Sequence, residues 1–467
     1  MGRQDKTDRG CVWPRFFAGM LAWTLVGCAS QTPYITPETT LPDKYSVVLP
    51  VNPITNIKEH WWLDFRDQTL EHLVEEADMH NLHLAEERAK VKQAAASAAS
   101  AGAIQDGDAT LGGAANTDGV ETVGLGLAIA FDPSGARRAS RAKAVARLEA
   151  AKLGQVDRRR LVIRELASTY IEMRYLQQLL AYRRQDFQSL LQLKKDIERR
   201  LEGAGATRLD FARARALLSK TLIEMARIEA QVVVQRNRIS TLIGRPAGMT
   251  PIQLGVSRRQ PIPKYRNYSA APADLVRNRP DIRQAERLYA AAVSNMDEAR
   301  ANRYPRLTLR GLILSPFSRG NSVGTLSGEL AVPLFSQPML KAEVELADAQ
   351  ALEALATWRR LVFQAVEEVE NALAALQSAS KSVTAAKQAV AFNEEALTLS
   401  KQIVAEGGSI TILDVLQQEE DLALARENLA LSTRDLGRNY VLLHTAFGTE
   451  ITSTLPRLPP ATQPAQP

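Results

Sequence analysis

The sequence has few aromatic residues and only two cysteines, and both shortages exclude classes of protein. Phe, Trp and Tyr make up 6% of the 467 residues, whereas a thick globular core normally contains more large rings. Two cysteines exclude a disulfide framework and a four-cysteine zinc site. The 45% apolar and 24% charged content is otherwise near the globular average, which disfavours general disorder and a helical membrane bundle. We therefore expect thin layers of long, closely packed helices.

Long hydrophobic runs are also missing from the sequence. A short apolar run near the N-terminus is typical of an export signal. Basic residues precede an apolar run over residues 16–27, which is too short to cross a bilayer as a helix. The run ends in Leu25-Val26-Gly27-Cys28, which resembles a bacterial lipobox. We expect cleavage before Cys28, a covalent diacylglycerol and N-acyl lipid on Cys28, and sorting to the outer membrane. The alternative is an ordinary signal peptide with an incidental cysteine.

The positive net charge is partly a property of this leader. The whole chain has a formal charge of +6, and removal of residues 1–27 leaves 54 basic and 50 acidic residues, a charge of +4. The remaining Lys and Arg residues do not form one clustered segment. We therefore expect no nucleic-acid partner.

The chain contains two copies of one helical plan. Residues 135–200 and 339–406 are both free of proline, and a helix over the first stretch would be about 100 Å long. In both stretches apolar residues recur at steps of three and four, as in a coiled coil, and a glycine-containing break leads into a second helix. Three pairs of landmarks are 204 residues apart, namely Phe131 and Phe335, Asp210 and Asp414, and Gly244 and Gly448. This constant offset predicts a duplicated architecture.

Three segments alternate between large apolar and small or polar residues, which is the period of a β-strand. They lie at residues 122–131, 306–313 and 325–334. A half-buried soluble sheet and an outer-membrane barrel share this alternation, and the export signal favours the barrel. Open sheet edges in hydrocarbon leave backbone groups unpaired, so a chain with two hairpins must oligomerise, and three copies supply twelve strands. The polar positions Arg306, Arg310 and Glu329 would then face the lumen.

Several motifs resemble the TolC family, and within it the NodT-type outer-membrane lipoproteins of RND efflux systems. The most specific motif begins with Arg279-Pro280-Asp281 and extends to Ala285-Glu286. Further matches are Tyr304-Pro305-Arg306-Leu307, Pro333-Leu334-Phe335, Leu242-Ile243-Gly244-Arg245-Pro246, and the final helix up to Gly448. One departure is the first strand, because residues 102–119 lack the family's Pro-x-Leu-x-Leu pattern and predict a loop or a poorly specified strand.

The resemblance implies a fold class and a function. The fold is mainly α with a small β part, in which long helical hairpins form a periplasmic α-barrel and four strands per protomer contribute to a trimeric twelve-stranded barrel. The function is an exit duct in the bacterial outer membrane that works with a periplasmic membrane-fusion adaptor and an inner-membrane pump of the RND type. We expect no enzyme activity, no catalytic or metal-binding residues, and no cofactor besides the lipid. Two alternatives are a duct for polypeptide secretion and a lipid-anchored periplasmic coiled-coil scaffold.

The resemblance also implies a periplasmic gate at Leu413, Asp414 and Gln417, where the last two helices turn. Three copies of Asp414 would form an acidic ring of the kind that selects cations. A second interpretation is local, because Thr411 and Asp414 have capping-box spacing, as Thr207 and Asp210 have in the first repeat.

These inferences divide the chain into consecutive segments. We expect a signal peptide at 1–27, an acylated linker at 28–62, a first repeat at 63–246, a linker at 247–271, a second repeat at 272–450 and a disordered tail at 451–467. The tryptophan pair Trp61-Trp62, at the end of the acylated linker, is expected to be buried by packing.

Overall fold

A computed structural model describes the greater part of the chain. It covers residues 37, 60–102, 107–115, 121–203, 205–249, 254, 259–264, 279–316, 321–406 and 409–448. The proposed lipid site Cys28, the signal peptide, the predicted break at 407–408 and the tail lie outside the described residues.

The described elements follow one plan twice, in which two strands and then two long helices come after two helices in the first half and after one helix in the second half. The first half contains α1 (Gln68–His80), α2 (Leu82–Gly102), β1 (Gly107–Ala115), β2 (Glu121–Phe131), α3 (Ala136–Glu202) and α4 (Arg208–Leu242). The second half contains α5 (Pro280–Ala301), β3 (Arg306–Pro316), β4 (Val323–Ala331), α6 (Gln337–Ala405) and α7 (Ile412–Phe447). Helix α7 begins 204 residues after α4 begins, so the predicted duplication is confirmed. None of the helices in these ranges is long and apolar enough to cross a membrane.

Apolar residues at three-and-four spacing predict one helix from residue 63 to about residue 101. This prediction is wrong, because the first α-helix begins only at Gln68 and the structure breaks the helical segment again at Asn81. The ψ angle of Asn81 is 126°, which is extended rather than helical. Its side-chain oxygen accepts the N–H of Leu84 at 3.1 Å and so begins α2, while its amide donates to the carbonyl of Leu242 at 2.6 Å. A contact with a residue 161 positions away therefore decides the break.

The described residues fall into two compact units, and the first contains the sheet. This sheet unit comprises Lys92–Ala150 and Ala285–Trp358, without the residues outside the description. Its four strands are antiparallel in the order β1-β2-β3-β4. Strand β1 pairs with β2 along its whole length, with Leu111 opposite Leu125, so the poorly specified segment does form a strand.

The second unit, here called the helical unit, contains the described parts of Glu38–Val91, Ala151–Gln284 and Arg359–Pro467. The predicted coiled-coil residues of α3 form its core, and Ile163, Leu166, Tyr170 and Met173 are fully buried. Towards the end of the hairpins, one cluster joins α3, α4 and α7 through Leu190, Ile197, Ala214, Ile412 and Leu416. Each helix is therefore held by thin apolar layers, which explains the low aromatic content.

A short 3₁₀ turn at Trp61–Phe65 packs into the same unit. Trp61 and Trp62 are both buried, as predicted, and Trp61 stacks on His444 with ring centroids 6.0 Å apart. The hydroxyl of Tyr440 donates to Asp64 at 2.6 Å, and the hydroxyl of Tyr170 donates to Asp67 at 2.6 Å. Two buried tyrosines thus tie the start of the described chain to α7 and α3.

Candidate functional site

One face of the sheet is apolar and uncovered by the rest of the described chain. Residues that stand opposite each other in antiparallel strands share a face, so the register assigns every strand position. Val123 and Leu307 on this face are partly buried, and its other large side chains are between 37% and 83% exposed. These exposed residues are Leu111, Leu125, Leu127, Ile129, Phe131, Leu309, Ile313, Leu326 and Leu330. The predicted alternation is confirmed on three strands and extends to β1 through Leu111.

The opposite face carries the predicted polar residues. Arg306, Arg310 and Glu329 all lie on it, because Arg310 stands opposite Ser327 and Glu329 opposite Thr308. Arg310 and Glu329 are diagonal neighbours with a nitrogen–oxygen distance of 3.3 Å. The Arg306 guanidinium donates to the Asn302 side chain at 2.7 Å. Their role as lumen charges stays a prediction, but the structure does bring them to one face.

Two leucines lie on the same face as these charged residues, and the sequence analysis did not predict them. Leu312 and Leu314 lie on it, opposite Gly126 and Gly124 of β2. A Cβ atom at Gly124 would approach Leu314 Cδ2 to 2.7 Å, so the leucine occupies space that the glycine leaves free. The two glycines at alternating positions within β2 were the available signal for this packing.

At the hairpin end of the helical unit, Asp414 begins α7 in a capping box. The backbone N–H of Thr411 donates to Asp414 Oδ2 at 2.7 Å, and the Thr411 hydroxyl donates to the same oxygen at 2.8 Å. The backbone N–H of Asp414 donates to Thr411 Oγ1 at 3.3 Å. The two hydrogen bonds to the carboxylate lower the pKa of Asp414 below its ordinary value, and the one from the Thr411 backbone N–H has the larger effect. The equivalent box at Thr207 and Asp210 is also present, so both predicted caps are confirmed.

The other two predicted gate residues face a groove. Leu413 and Gln417 are exposed, and together with Arg213 and Lys220 of α4 they line a groove of about 430 Å³ between α4 and α7. Lys220 pairs with Glu420 across this groove at 3.0 Å. Leu413 and Gln417 thus lie beside a charged helix, whereas the carboxylate of Asp414 bonds to its own cap residue. Whether the three residues gate a pore stays a prediction.

The Arg-Pro-Asp motif builds a buried charge network that the sequence analysis did not assign. Arg279 is 3% exposed, and it contacts Asp281 at 2.6 Å and Glu368 at 2.8 Å. It also donates to the carbonyl of Ala446 at 2.9 Å. Arg160 donates to the neighbouring carbonyl of Thr445 at 2.6 Å. Two arginines therefore satisfy the last carbonyls of α7, which a helix leaves without intrahelical partners.

Comparisons with known proteins match both the motifs and the fold. Residues 271–449 match the family described as outer membrane efflux protein. Nodulation protein T of Rhizobium leguminosarum bv. viciae is 31% identical over 448 residues, covering 93% of this chain and 93% of the relative. The chain belongs to the outer membrane efflux protein family. The resemblance drawn from the motifs is therefore confirmed.

Solved channels of this kind share the fold. The outer membrane protein VceC of Vibrio cholerae aligns with a TM-score of 0.75 at 25% identity, covering 84% of this chain and 98% of that chain. The MtrE outer membrane channel of Neisseria gonorrhoeae aligns with a TM-score of 0.78 at 22% identity, covering 91% and 99%. This efflux protein is accordingly an outer-membrane channel component, and its family consists of channel-type proteins rather than enzymes.

Proposed function

We propose that three copies of this efflux protein close one twelve-stranded barrel and form the exit duct of a tripartite system. The observation that carries the proposal is the sheet itself, which has an exposed apolar face and two edge strands, β1 and β4. An edge strand in hydrocarbon leaves N–H and C=O groups without partners, at several kcal/mol for each group. Pairing of β4 with β1 of the next copy removes every edge, and three sheets of four strands give an even-numbered barrel.

The proposed duct requires two protein partners. A passive channel has no energy source of its own, so an inner-membrane pump, of the RND type by the family resemblance, supplies the transport work. A periplasmic membrane-fusion adaptor joins the two proteins. Selection of the cargo then belongs to the pump and adaptor, and the efflux protein conducts what they deliver.

The trimeric duct is tested with the protein extracted from outer membranes. We expect a native mass of three chains, a change in gel mobility on heating, and stepwise conductance in planar bilayers. Deletion of the gene should increase sensitivity to exported compounds, and the intact gene should restore resistance. A monomer that is silent in bilayers would contradict the proposal and favour the coiled-coil scaffold.

We also propose that Cys28 carries the membrane anchor, because the lipobox-like sequence Leu25-Val26-Gly27 precedes it. Cys28→Ser should abolish palmitate labelling and leave the leader uncleaved. Cys11→Ser, in the basic leader, is the matched control and should keep both labelling and processing. Palmitate labelling of the Cys28→Ser protein would overturn the assignment.

A further proposal concerns Asp414, whose three copies would place an acidic ring at the periplasmic end of the duct. Asp414→Ala should reduce the preference of the channel for cations, because the fixed negative charge is lost. The matched control is Asp210→Ala, which removes the equivalent capping box in the first repeat. Ion selectivity in planar bilayers and thermal unfolding are measured for both variants. Equal losses of stability with unchanged selectivity would leave Asp414 only a helix cap.

The same carboxylate gives a pH dependence. Since the pKa of Asp414 is lowered in the folded protein, its capping contribution is complete above the ordinary value of 3.8 and is lost as the pH falls below it. The cation preference should therefore be constant between about pH 5 and pH 8.

A further inference from the structure

The polar face of the sheet changes its chemistry along the strands. Its charged residues lie in the half nearer the helices, whereas Leu312, Leu314 and Val323 lie on the same face towards the hairpin that joins β3 to β4. Val323 belongs to this face because it stands opposite Leu314. We call these three residues the apolar collar. All four strands adjoin their helices at the other end of the sheet, so the collar lies at the end farthest from the helices.

The register places the collar in two neighbouring rows across the sheet. In the row nearer the hairpin, Gly112, Gly124, Leu314 and Val323 stand opposite one another, and each of these four positions is apolar. Leu312 lies in the next row, which also contains threonines of β1 and β4. A band without charged side chains therefore crosses the four described strands at this end.

The two leucines of the collar lie along the sheet rather than standing away from it. A Cβ atom at Gly124 would be 2.7 Å from Leu314 Cδ2 and 3.6 Å from Leu312 Cδ1. Both side chains therefore lean over β2, where the glycine leaves space. A barrel of twelve strands, about 4.8 Å apart and tilted by about 40°, is about 24 Å wide between backbones. Side chains that lie against such a wall leave the lumen open.

The collar stays exposed despite this packing. Val323 is 57% exposed and Leu312 is 38% exposed. Val323 lies on the edge strand β4, and strand β1, its partner in the next copy of the proposed barrel, presents the small residues Thr110 and Gly112 on the same face. A water-filled lumen is normally lined by polar side chains. A band of exposed leucine and valine within a lumen is therefore a surface for apolar ligands.

We propose that the collar binds the apolar part of amphipathic cargo, such as a hydrophobic organic ion, at the outer end of the duct. The proposal rests on the trimeric barrel, in which three copies place their collars around one lumen. Arg310 lies two residues from Leu312 and four from Leu314 on the same strand, or about 7 to 14 Å. The charged group of an amphipathic ion can therefore face the charged half of the lumen while its apolar part contacts the collar.

Block of the ion current in planar bilayers tests the collar. The probes are tetrabutylammonium and tetramethylammonium, which have the same charge and differ in apolar surface. Tetrabutylammonium should block the parent channel at a lower concentration than tetramethylammonium. Its block should depend less on voltage when it is added on the side of the hairpin loops, because the collar lies near that end.

Polar substitutions of similar size should weaken this block. Leu314→Asn with Val323→Thr should raise the blocking concentration of tetrabutylammonium about tenfold, since roughly 50 Å² of apolar contact is lost. Block by tetramethylammonium should not change. Val323→Thr alone keeps the shape of an exposed side chain and should raise the blocking concentration about threefold.

The matched control keeps the collar apolar. Leu314→Met with Val323→Ile changes the same two positions and should be blocked by tetrabutylammonium as the parent is. The single-channel conductance of each variant, compared with the parent, shows that its barrel has formed.

The possible failures can be told apart. Equal block of the parent by the two ions, or unchanged tetrabutylammonium block in both polar variants, would overturn the collar and leave the conducting duct intact. Loss of this block in the Met and Ile control would show that side-chain shape matters rather than apolar character, and would also overturn the collar. A parent protein that does not conduct would instead refute the proposed function, and the collar with it.

Discussion

Replacing Gly244 by alanine is expected to destabilise the helical unit by about 4 kcal/mol or more, which is enough to prevent assembly of the channel. Gly244 has a φ of +75°, where an L-residue is strained. A Cβ atom built on it would lie 2.2 Å from the carbonyl oxygen of His80 and 2.8 Å from its carbonyl carbon. Both contacts are with backbone, so α1 and the end of α4 would have to separate. The measurements are thermal unfolding and the amount of channel in the membrane.

Gly248 is the matched control, because it separates the effect of backbone strain at positive φ from the effect of a steric clash with the Cβ atom. Its φ is +90°, but nothing lies within 4 Å of a Cβ built there. Gly248→Ala should therefore cost only the left-handed backbone penalty of about 1–2 kcal/mol. Equal destabilisation by the two substitutions would show that the approach of His80 does not matter.

The second repeat has an equivalent glycine with a positive φ at the end of its last helix. Gly448 ends α7 with a φ of +70°, and a Cβ there would lie 2.6 Å from Arg279 Cγ and 3.1 Å from Arg279 Cα. Duplication has therefore kept a left-handed glycine at the end of each hairpin, where another backbone segment crosses the helix terminus.

Removing the Arg279 guanidinium is the second substitution with a large expected effect. Arg279→Met should destabilise the protein by about 3–5 kcal/mol, because Asp281 would remain buried without its main partner. The carbonyl of Ala446 would also lose its donor. Chemical denaturation of the purified protein measures the change. Arg279→Met combined with Asp281→Leu should recover part of the loss, since the buried carboxylate of Asp281 is then removed, while Arg160 keeps its contact with Asp157 and Glu368 is 41% exposed.

An exposed ion pair is the control for Arg279. Arg184 on α3 contacts Glu229 on α4 at 2.8 Å, and both side chains are more than half exposed. Arg184→Met should cost less than about 1 kcal/mol, because water screens this pair. A loss as large as that of Arg279→Met would contradict the view that burial makes the difference.

The network also responds to acid. Burial opposes ionisation of Asp281, but the hydrogen bonds and charge of Arg279, together with the charge of Arg160, outweigh it and hold the pKa of Asp281 below its ordinary value. The contribution of this pair to stability is complete above pH 3.8 and is lost as the pH falls further. The difference between the parent and Arg279→Met should therefore shrink below that pH.

Much of the candidate site could be predicted because its determinants are local. Alternation at period two was enough to place Arg306, Arg310 and Glu329 on one face of the sheet, and the structure places them there. Three-residue spacing was enough to predict the capping box of Thr411 and Asp414. The groove beside Leu413 and Gln417 could not be predicted in this way, since it is made by Arg213 and Lys220 from a helix two hundred residues earlier.

The sequence by itself determined the helical hairpins, their duplication at a 204-residue offset and the two-sided character of the strands, since proline, glycine and hydrophobic period act within a few residues of the chain. The tertiary structure decided the break at Asn81, the packing of Leu312 and Leu314 over glycines, and the partners of Arg279. Each of these depends on an atom contributed from a distant part of the sequence, Leu242, Gly124 and Ala446 respectively. Steric fit and the pairing of buried polar groups are settled only when such segments meet.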